Sequence, residues 1–303
     1  MTNNYVDEFK TAMIEAGIFT SERLIPDGLL HRFHVEGDKA GSKNGAYVLH
    51  LDAHPSGYFE HFRTGEKRRW TADGKRQRLS EAVKQQIELA RQQRQKETIQ
   101  RQQKTAKTGN YLFFEKAQKL IFRTNPYLVG KKIDPHGSRS MDWRKKVDDE
   151  IIIIRNSLIV PLIDETGLIQ NLQAIFPQKP PQLQRNKDFL YGGRLKGCFA
   201  KIGNYQANRP IRIAEGFATA ASVHQCTGDL TLAAMSAANL VEVALVVRQK
   251  RPNTEVIIMG DNDLSGKGQE WARKAALAVG GRYLIPPTAG HDWNDEINAG
   301  GIV

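Results

Sequence analysis

The sequence predicts an α/β protein. A parallel sheet with flanking helices follows a β-rich accessory region, a small N-terminal α+β domain and a long basic helix. Strands alternate with single helices between residues 211 and 285, which is typical of right-handed βαβ crossovers. Apolar, β-branched runs separated by a turn lie before this region, at residues 151–176. With 303 residues, the chain is also long enough for two domains.

Residues 1–78 are predicted to form the small α+β domain. Apolar residues at helical spacing, among them Val6 and Met13, indicate an opening helix. Three alternating segments then indicate strands, and Gly-rich and Pro-containing turns between them favour a meander. These segments are residues 29–35, 46–52 and 57–63.

Residues 79–108 are predicted to form a basic helical linker. The segment is rich in Gln, Arg, Lys, Glu and Ala, which are good helix formers, and it contains no Gly or Pro. Its apolar residues are too sparse for sustained heptads, so a solvated helix is favoured over a coiled coil. Thr108 and Gly109 are expected to end this helix, and a second helix is expected at 111–122.

Residues 109–303 form the third predicted region. A turn at 164–167 divides residues 151–176 into an antiparallel pair of buried strands. Single helices are then expected to connect the strands of a parallel sheet. The strands are predicted at 211–214, 231–235, 256–260 and 283–285, and the helices at 217–227, 240–249 and 268–279.

The composition indicates a polyanionic partner. The formal net charge is +11, and residues 63–107 alone carry 14 basic and 5 acidic residues. Cys198 and Cys226 lack the paired spacing of a zinc ribbon, so no disulfide framework and no zinc are expected. The longest apolar runs are far shorter than a membrane span, and the first residues do not resemble a signal peptide. A cytoplasmic protein without a membrane partner is therefore expected.

Acidic residues follow the predicted parallel strands. Glu215 follows the first strand, Asp261 and Asp263 follow the third, and Asp292 and Asp295 lie in the loop after the fourth. Ligand sites in open α/β sheets lie beyond the carboxyl ends of the strands. A lone pair of aspartates is usually a turn or helix cap, but acids after successive strands favour a site for Mg²⁺ or Mn²⁺.

Six ordered strings carry a resemblance to a known family. They are NPYLVGKKIDPHGSR (125–139), LIVPLIDETGLIQNLQAIFP (158–177), FLYGGRLKG (189–197), IAEGFATAASVHQCTG (213–228), MGDNDLSGKGQ (259–269) and HDWNDEINAGG (291–301). The last part of the chain resembles the Toprim domain, a Rossmann-like fold. The strings together resemble the Toprim primases encoded by conjugative plasmids, phages and other mobile elements. The resemblance implies a primase catalytic region at 109–303 with a Toprim core at about 209–303.

The resemblance also implies an activity and its site. Such enzymes synthesise short RNA primers from nucleoside triphosphates on a single-stranded DNA template. Glu215 corresponds to the family's conserved glutamate, a metal ligand or general base, and Asp261 and Asp263 correspond to its metal ligands. Asp292 and Asp295 match its DWND-like segment and are further candidate metal ligands.

Basic residues are expected to bind the polyanionic substrates. Cations beside the FLYGG string resemble the family's basic motif near the nucleotide, although a solvated loop is the alternative. The nucleotide-binding candidates are Arg185, Lys187, Arg194, Lys196 and, at the start of a helix where a phosphate is favoured, Lys267. The DNA-binding candidates are Lys131, Lys132, Arg139, Arg68, Arg69, Arg91 and Arg94.

The N-terminal region departs from the family because it lacks the ligands of a zinc ribbon. Its histidines are interpreted as surface or packing residues; they are His31, His34, His50, His54 and His61. Aromatic residues in the same region either stack on bases or form the core, and the core is favoured. These residues are Tyr58, Phe59, Phe62 and Trp70.

Two other functions stay open. A Toprim nuclease would use the same acids without nucleoside triphosphates. A non-catalytic single-stranded DNA binding protein is disfavoured, because unpaired carboxylates near DNA are costly. The sequence contains no P-loop, so a primase of this kind would act with a separate replicative helicase or on strands already exposed.

Overall fold

The computed structural model describes residues 2–39, 41–51, 54–72, 81–147 and 150–301. The chain divides into two compact units, residues 1–88 and 89–303. The predicted domain boundary at residue 78 lies outside the described residues. Within the described ranges, no helix has the length and apolar content that a bilayer crossing requires.

The N-terminal unit contains a helix and an antiparallel meander. Helix α1 spans Thr2–Glu15, and the strands are β1 (His31–Phe33), β2 (Gly45–His50), β3 (Ser56–His61) and β4 (Lys67–Thr71), in the order β1-β2-β3-β4. Phe9 and Met13 of α1 pack against Phe59 in a fully buried core. Three predicted strands are confirmed, whereas β4 was not predicted because its sequence is largely basic and exposed.

The aromatic and histidine side chains of this unit have different environments. Phe59 is fully buried and Trp70 packs against the core, so packing is the correct interpretation for both. Phe62 is exposed and lies against the guanidinium of Arg32. His61 is buried and its Nε2 lies 3.0 Å from the Asp38 carboxylate.

Helix α2 spans Glu81–Tyr111 and leads directly into a π-helical turn at Leu112–Lys116. The predicted end at Thr108 and Gly109, and the separate helix at 111–122, were therefore wrong. Gly109 is buried near Leu190, and the side chain of Asn110 donates to the carbonyl of Ile169 at 3.2 Å. These tertiary contacts outweigh the low helix propensity of glycine.

The accessory region is a five-stranded antiparallel sheet with a short helix. Its strands are β5 (Gln118–Lys119), β6 (Arg139–Val147), β7 (Glu150–Ile163), β8 (Ile169–Ile175) and β9 (Lys187–Phe189), in chain order across the sheet, and α3 spans Pro126–Lys131. The predicted antiparallel pairing of β7 and β8 is confirmed, but the expected burial is not complete, because Ile151 and Ile153 at the start of β7 are exposed. Leu158 and Ile159 belong to different hydrophobic clusters, because successive strand residues face opposite sides of a sheet.

The last region is the predicted parallel sheet. Its strands are β10 (Ala200–Ile202), β11 (Ile211–Ala214), β12 (Thr231–Ala233), β13 (Val256–Met259) and β14 (Arg282–Leu284), in the order β10-β12-β11-β13-β14. Its helices are α4 (Phe217–Thr227), α5 (Asn239–Lys250), α6 (Lys267–Val279) and α7 (Trp293–Asn298). The short strand β10 is antiparallel and was not predicted, whereas the other four strands are parallel, as expected.

Candidate active site

Two neighbouring parallel strands bring the predicted acids to one edge of the sheet. Strands β11 and β13 are hydrogen-bonded, with Ala214 paired to Met259. Glu215 comes directly after β11, and Asp261 comes two residues after the end of β13. Asp263 lies in the same loop as Asp261. Because parallel strands end at a common edge, these three carboxylates belong to one cleft.

The charges of the acids in the cleft raise one another's pKa. Burial raises the pKa of the Asp261 carboxyl to about 7, and the negative charge of Glu215 adds to the rise. Asp292 and Asp263 act in the same direction, whereas the ammonium group of Lys187 opposes them. The pKa of Glu215 is also raised, mainly by burial and then by the charge of Asp263. The carboxylates of Glu215 and Asp261 are therefore partly shielded from water and close to other negative charges.

The loop after β13 is held by hydrogen bonds. Asp263 accepts a hydrogen bond from the backbone N–H of Gly268, in the first turn of α6, at 3.0 Å. Asn262 donates through its side-chain amide to the carbonyl of Pro286 at 2.8 Å. Asp263 is thus a helix cap as well as a member of the acidic cluster. Oδ1 of Asp261 is buried and has no hydrogen-bond partner.

The loop between β12 and α5 holds Glu215. The backbone N–H of Met235 donates to the carbonyl of Glu215 at 2.7 Å. The backbone N–H of Ala237 donates to the carboxylate of Glu215 and partly offsets the rise of its pKa. Met235 has a φ of 68°, a left-handed conformation that is costly for a residue with a side chain. Sequence analysis missed this loop, because its residues carry no charged or catalytic signature.

The two acids of the last loop have different partners. Asp292 caps α7 by accepting from the backbone N–H of Asp295 at 2.9 Å, and its charge reaches Asp261. It also reaches the buried Tyr127, whose pKa is raised mainly by burial. Asp295 instead lies 3.2 Å from the ammonium group of Lys131. The role of Asp295 as a metal ligand stays a prediction, which the pairing of its carboxylate with a cation does not favour.

The nucleotide-binding candidates separate into two groups. The charge of the exposed Lys187 reaches the acidic cluster, where it opposes the rise in pKa of Asp261 and Glu215. The others near FLYGG have acidic partners elsewhere. These pairs are Arg185 with Asp188 (2.7 Å), Arg194 with Glu165 (3.6 Å) and Lys196 with Glu242 (3.1 Å). Lys267 is exposed at the first position of α6, close enough to lower the pKa of Glu270.

A buried carboxylate supports Lys187 from the other face of its strand. Asp188 is 6% exposed and accepts from the indole N–H of Trp143 at 3.1 Å. The ammonium group of Lys145 lies 2.9 Å from the same carboxylate. Adjacent strand residues point to opposite faces of a sheet. Because Asp188 is held by Trp143 and Lys145 on one face of β9, the side chain of Lys187 lies on the other face. Asp188 was not among the predicted site residues. The aspartate directly after Lys187 is the sequence signal that could have indicated its role as an anchor of β9.

Four of the seven DNA-binding candidates are exposed, whereas Arg139 is buried. Arg139 is 9% exposed and donates to the carbonyls of Phe113, Phe114 and Ala117 at 2.8, 3.2 and 3.3 Å. It therefore completes the hydrogen bonding of the π-helical turn, and its expected role in binding DNA is corrected. Lys131 is paired with Asp295, as described above, and Lys132 is exposed at the end of α3.

The remaining candidates lie on β4 and α2. Arg68 pairs with Glu66 at 2.8 Å, and Arg69 is exposed on the same strand. Arg91 is exposed on α2. The side chain of Arg94, also on α2, lies outside the described residues.

The acidic cluster fits a divalent cation in its chemistry. Among the described side chains, no three His, Cys, Asp or Glu residues converge closely enough to enclose a metal ion by themselves. Mg²⁺, however, takes one or two carboxylates together with waters and substrate phosphates. Glu215, Asp261 and Asp263 carry oxygen atoms of the type that such a cation takes as ligands, and the unpartnered Oδ1 of Asp261 is an atom that a cation would satisfy.

Residues 211–302 match the family model of the Toprim domain. The match begins at β11 and includes the loops that carry Glu215, Asp261 and Asp292. The chain therefore contains a Toprim domain, and the predicted fold class is confirmed.

Two curated proteins from Escherichia coli, both named DNA primase TraC, are similar to most of this chain. One is 33% identical over 295 residues, a match that covers 92% of this chain and 26% of the relative. The other is 32% identical over 297 residues, with 92% and 19% covered. The chain thus spans about a quarter and a fifth of these relatives. The resemblance to primases is confirmed.

Two solved structures are similar at a lower level. The catalytic core of DnaG is 13% identical with a TM-score of 0.45, and the match covers 67% of this chain and 76% of that chain. The primase fragment of the bacteriophage T7 primase-helicase protein is 14% identical with a TM-score of 0.40, and 89% and 95% are covered. Similarity at this level assigns neither a fold nor a function.

Proposed function

We propose that this chain is a DNA primase, which synthesises short RNA primers from nucleoside triphosphates on single-stranded DNA. The observation that carries the proposal is the acidic cluster of Glu215, Asp261 and Asp263 facing Lys187, within a Toprim domain. Such a cluster can hold a cation beside a bound triphosphate. The similarity of the chain to two proteins named DNA primase supports the same activity.

Glu215, Asp261 and Asp263 would hold Mg²⁺ or Mn²⁺, and Asp292 lies close enough to add negative charge. A bound divalent cation would activate the primer 3′-hydroxyl and neutralise charge on the triphosphate. Because Glu215 has a raised pKa and a fixed backbone, its carboxylate can also accept the proton of that hydroxyl. The Ala237 N–H keeps the carboxylate oriented for this step.

Lys187 is the proposed contact to the triphosphate. Its charge reaches the cluster, and among the described side chains its ammonium group has no ion pair that would compete with a phosphate. Arg194 and Lys196 lie in the following loop and could reach a bound nucleotide only by exchanging their present acidic partners. Arg185 is held by Asp188, and Lys267 can meet a phosphate at the exposed start of α6.

Single-stranded DNA is the proposed template, and the basic segment is its proposed binding surface. Residues 63–107 carry most of the net charge, and cations of this kind bind phosphates without sequence preference. Arg69, Arg91, Arg94 and Lys132 remain proposed contacts. We assign residues 1–78 and 79–108 as accessory domain and linker, and 109–303 as the catalytic region. A separate replicative helicase is a proposed partner, and the cytoplasm, where these substrates occur, is the proposed location.

A Toprim nuclease is the second candidate, because the same carboxylates could hold a cation during cleavage. Lys187 favours the primase, since a cation opposite the acids complements the negative charge of a triphosphate that a nuclease does not use. Binding of DNA without catalysis is disfavoured, because the concentrated carboxylates would repel phosphates unless a cation offset them.

Incubation of the full chain with single-stranded DNA, Mg²⁺ or Mn²⁺ and labelled ribonucleotides tests the proposal. New oligonucleotides that require all of these components are expected, and Asp261→Asn is the matched inactive control. Cleaved template without incorporation would establish the nuclease instead. Bound but unchanged DNA in both the parent protein and the variant would contradict catalysis altogether.

A further inference from the structure

The loop that follows β9 presents a tyrosine to solvent on a firmly held backbone. The side chain of Tyr191 is 84% exposed, whereas its neighbour Leu190 is largely covered. Large aromatic side chains are normally at least half buried, because their exposure costs free energy. An exposed ring on a rigid support is therefore a candidate contact surface.

Two groups fix the backbone on either side of the ring. The hydroxyl of Thr105, on α2, donates to the carbonyl of Tyr191 at 3.0 Å. The N–H of Leu190 donates to the carbonyl of Leu172 and to Oδ1 of Asn171, both at 3.2 Å. Asn171 is 1% exposed, so this anchor lies inside the accessory region. The loop is thus fastened both to the sheet and to the helix.

A cation accompanies the ring. The guanidinium carbon of Arg101 lies 6.0 Å from the centroid of Tyr191, within the range of a cation–π contact. The stem of Arg101 packs against Gly192, where an added Cβ would come within 2.7 Å of its Cγ. Lys104 is exposed one turn further along, and residues 98–111 contain no acid. Since residues three and four apart share a helix face, Lys104 lies on the same side as Arg101 and Thr105.

We infer that Tyr191 and Arg101 form a stacking platform for an unpaired nucleobase of the single-stranded template. A planar ring beside a planar guanidinium suits the π-face of a base, and the cations of α2 suit the phosphates on either side of it. The platform accepts single strands in preference to duplex, because the faces of a base inside a duplex are already stacked on the neighbouring base pairs. Tyr191 follows Lys187 by four residues, so the backbones of these two residues lie within about 13 Å of each other.

The inference rests on the proposed function in one respect, that the chain handles single-stranded DNA. It goes beyond that function by assigning an aromatic contact that the charged residues do not supply. It also gives α2 a direct part in binding, through Arg101 and Lys104.

A thermodynamic cycle tests the platform without requiring catalysis. Affinities of the full chain and of Tyr191→Ala are measured for a short single strand and for an all-abasic strand of the same length. We expect Tyr191→Ala to weaken binding of the normal strand about 10-fold and to change binding of the abasic strand less than about twofold. Tyr191→Phe, which keeps the ring, should remain within about twofold of the parent on both. Tyr283→Ala removes another exposed tyrosine, on β14, and is the matched control.

Other outcomes would overturn the inference. Equal losses on both strands would mean that Tyr191 supports phosphate binding or the fold, and melting curves of the variants would identify the latter. Unchanged DNA affinity with a raised KM for nucleotides would assign the ring to the incoming base instead. The binding measurements contain no nucleoside triphosphate and require no turnover. A chain that makes no primers can therefore still bind the normal strand more tightly than the abasic strand through Tyr191. A chain that makes primers can likewise fail to show this difference, so the two proposals are separable.

Discussion

The ammonium nitrogen of Lys131 lies 3.2 Å from Oδ1 of Asp295, and this contact ties α3 to α7. The side-chain amide of Asn294 adds a hydrogen bond to the carbonyl of Lys131 at 2.7 Å. Two residues that the sequence offered as a DNA contact and a metal ligand are thus each other's partners. Asp292, three residues earlier, is the member of that loop whose charge reaches Asp261.

Replacement of Asp295 by Asn is expected to affect stability slightly and catalysis little. The two side chains are 33% and 45% exposed, and pairs of this kind contribute about 0–1 kcal/mol to the free energy of unfolding. Chemical denaturation and primer synthesis measure the two effects. A loss of activity of about 100-fold with unchanged stability would return Asp295 to the catalytic cluster.

Replacement of Glu215 by Gln or of Asp261 by Asn is expected to abolish primer synthesis while single-stranded DNA still binds. Both carboxylates lie in the acidic cluster, whereas the proposed template contacts are cations on other elements. We expect a loss of at least about 100-fold in kcat, measured by nucleotide incorporation beside a DNA-binding assay. Near-normal synthesis by both variants would contradict the assignment of the site.

The stability of the metal-free protein is expected to depend on pH through Asp261. Its pKa is raised from 3.8 to about 7 on folding, so the folded state binds this proton more tightly than the unfolded state does. The cost of the buried charge is fully present above the folded pKa and disappears as the pH falls towards 3.8. Asp261→Asn should therefore raise Tm most at about pH 8 and progressively less at lower pH.

Thermal melts in the presence of a chelator measure this difference, and added Mg²⁺ supplies a second readout. The cation should raise Tm of the parent protein more than that of Asp261→Asn, because it offsets the charge that the variant lacks. A difference in Tm that stays constant across the pH range would show that the Asp261 carboxyl ionises normally.

Replacement of Lys187 by Ala is expected to raise KM for nucleoside triphosphates about 10-fold or more, because a charge-assisted contact to phosphate is lost. Lys196→Ala is the matched control, since Lys196 is 77% exposed and pairs with Glu242. The affinity for single-stranded DNA should be unchanged in both. A KM for nucleoside triphosphates that is unchanged from the parent protein in Lys187→Ala would remove Lys187 from the proposed site.

Replacement of Gly109 by Ala is expected to stabilise the protein by about 0.5–1 kcal/mol, because alanine is the better helix former. Gly109 lies inside α2, and an added Cβ would make ordinary contacts with Leu190 at 3.4 Å and Ile169 at 3.6 Å. Gly192→Ala is the contrasting variant and should destabilise, since Gly192 has a φ of 79° and an added Cβ would clash with Arg101. Denaturant midpoints of the two variants decide the point, and a loss of stability in Gly109→Ala would contradict it.

The parallel sheet could be predicted from the sequence because its strands are short, largely apolar and separated by single helices. Burial on both faces produces such runs, as the four buried residues of β13 illustrate. Strands β4 and β10 carry no such signal. Strand β4 is basic and exposed, whereas β10 has an exposed lysine at its centre and is joined to β11 without a helix. Gly109 also shows that local propensity does not end a helix that packs along a sheet.

The acids of the site could be predicted from their place after the strands, since the fold alone brings strand ends together. The partners of the basic residues could not. Lys131 and Asp295 are 164 residues apart, and nothing local indicates their contact. Arg139 has the same charge as a DNA contact, but only the tertiary structure shows that it satisfies three backbone carbonyls.

The left-handed backbone of Met235 sets stability against function in this domain. A non-glycine residue in this conformation costs about 1–2 kcal/mol. The Met235 side chain packs against the core cluster that contains Ala214 and Ala233, so glycine here would relieve the strain but lose that packing. The same segment donates the two N–H groups that hold Glu215. A more flexible residue at position 235 would therefore hold the Glu215 carboxylate less firmly in its orientation. Both the packing of its side chain and the orientation of Glu215 should therefore keep the strained methionine in place under selection for stability and turnover.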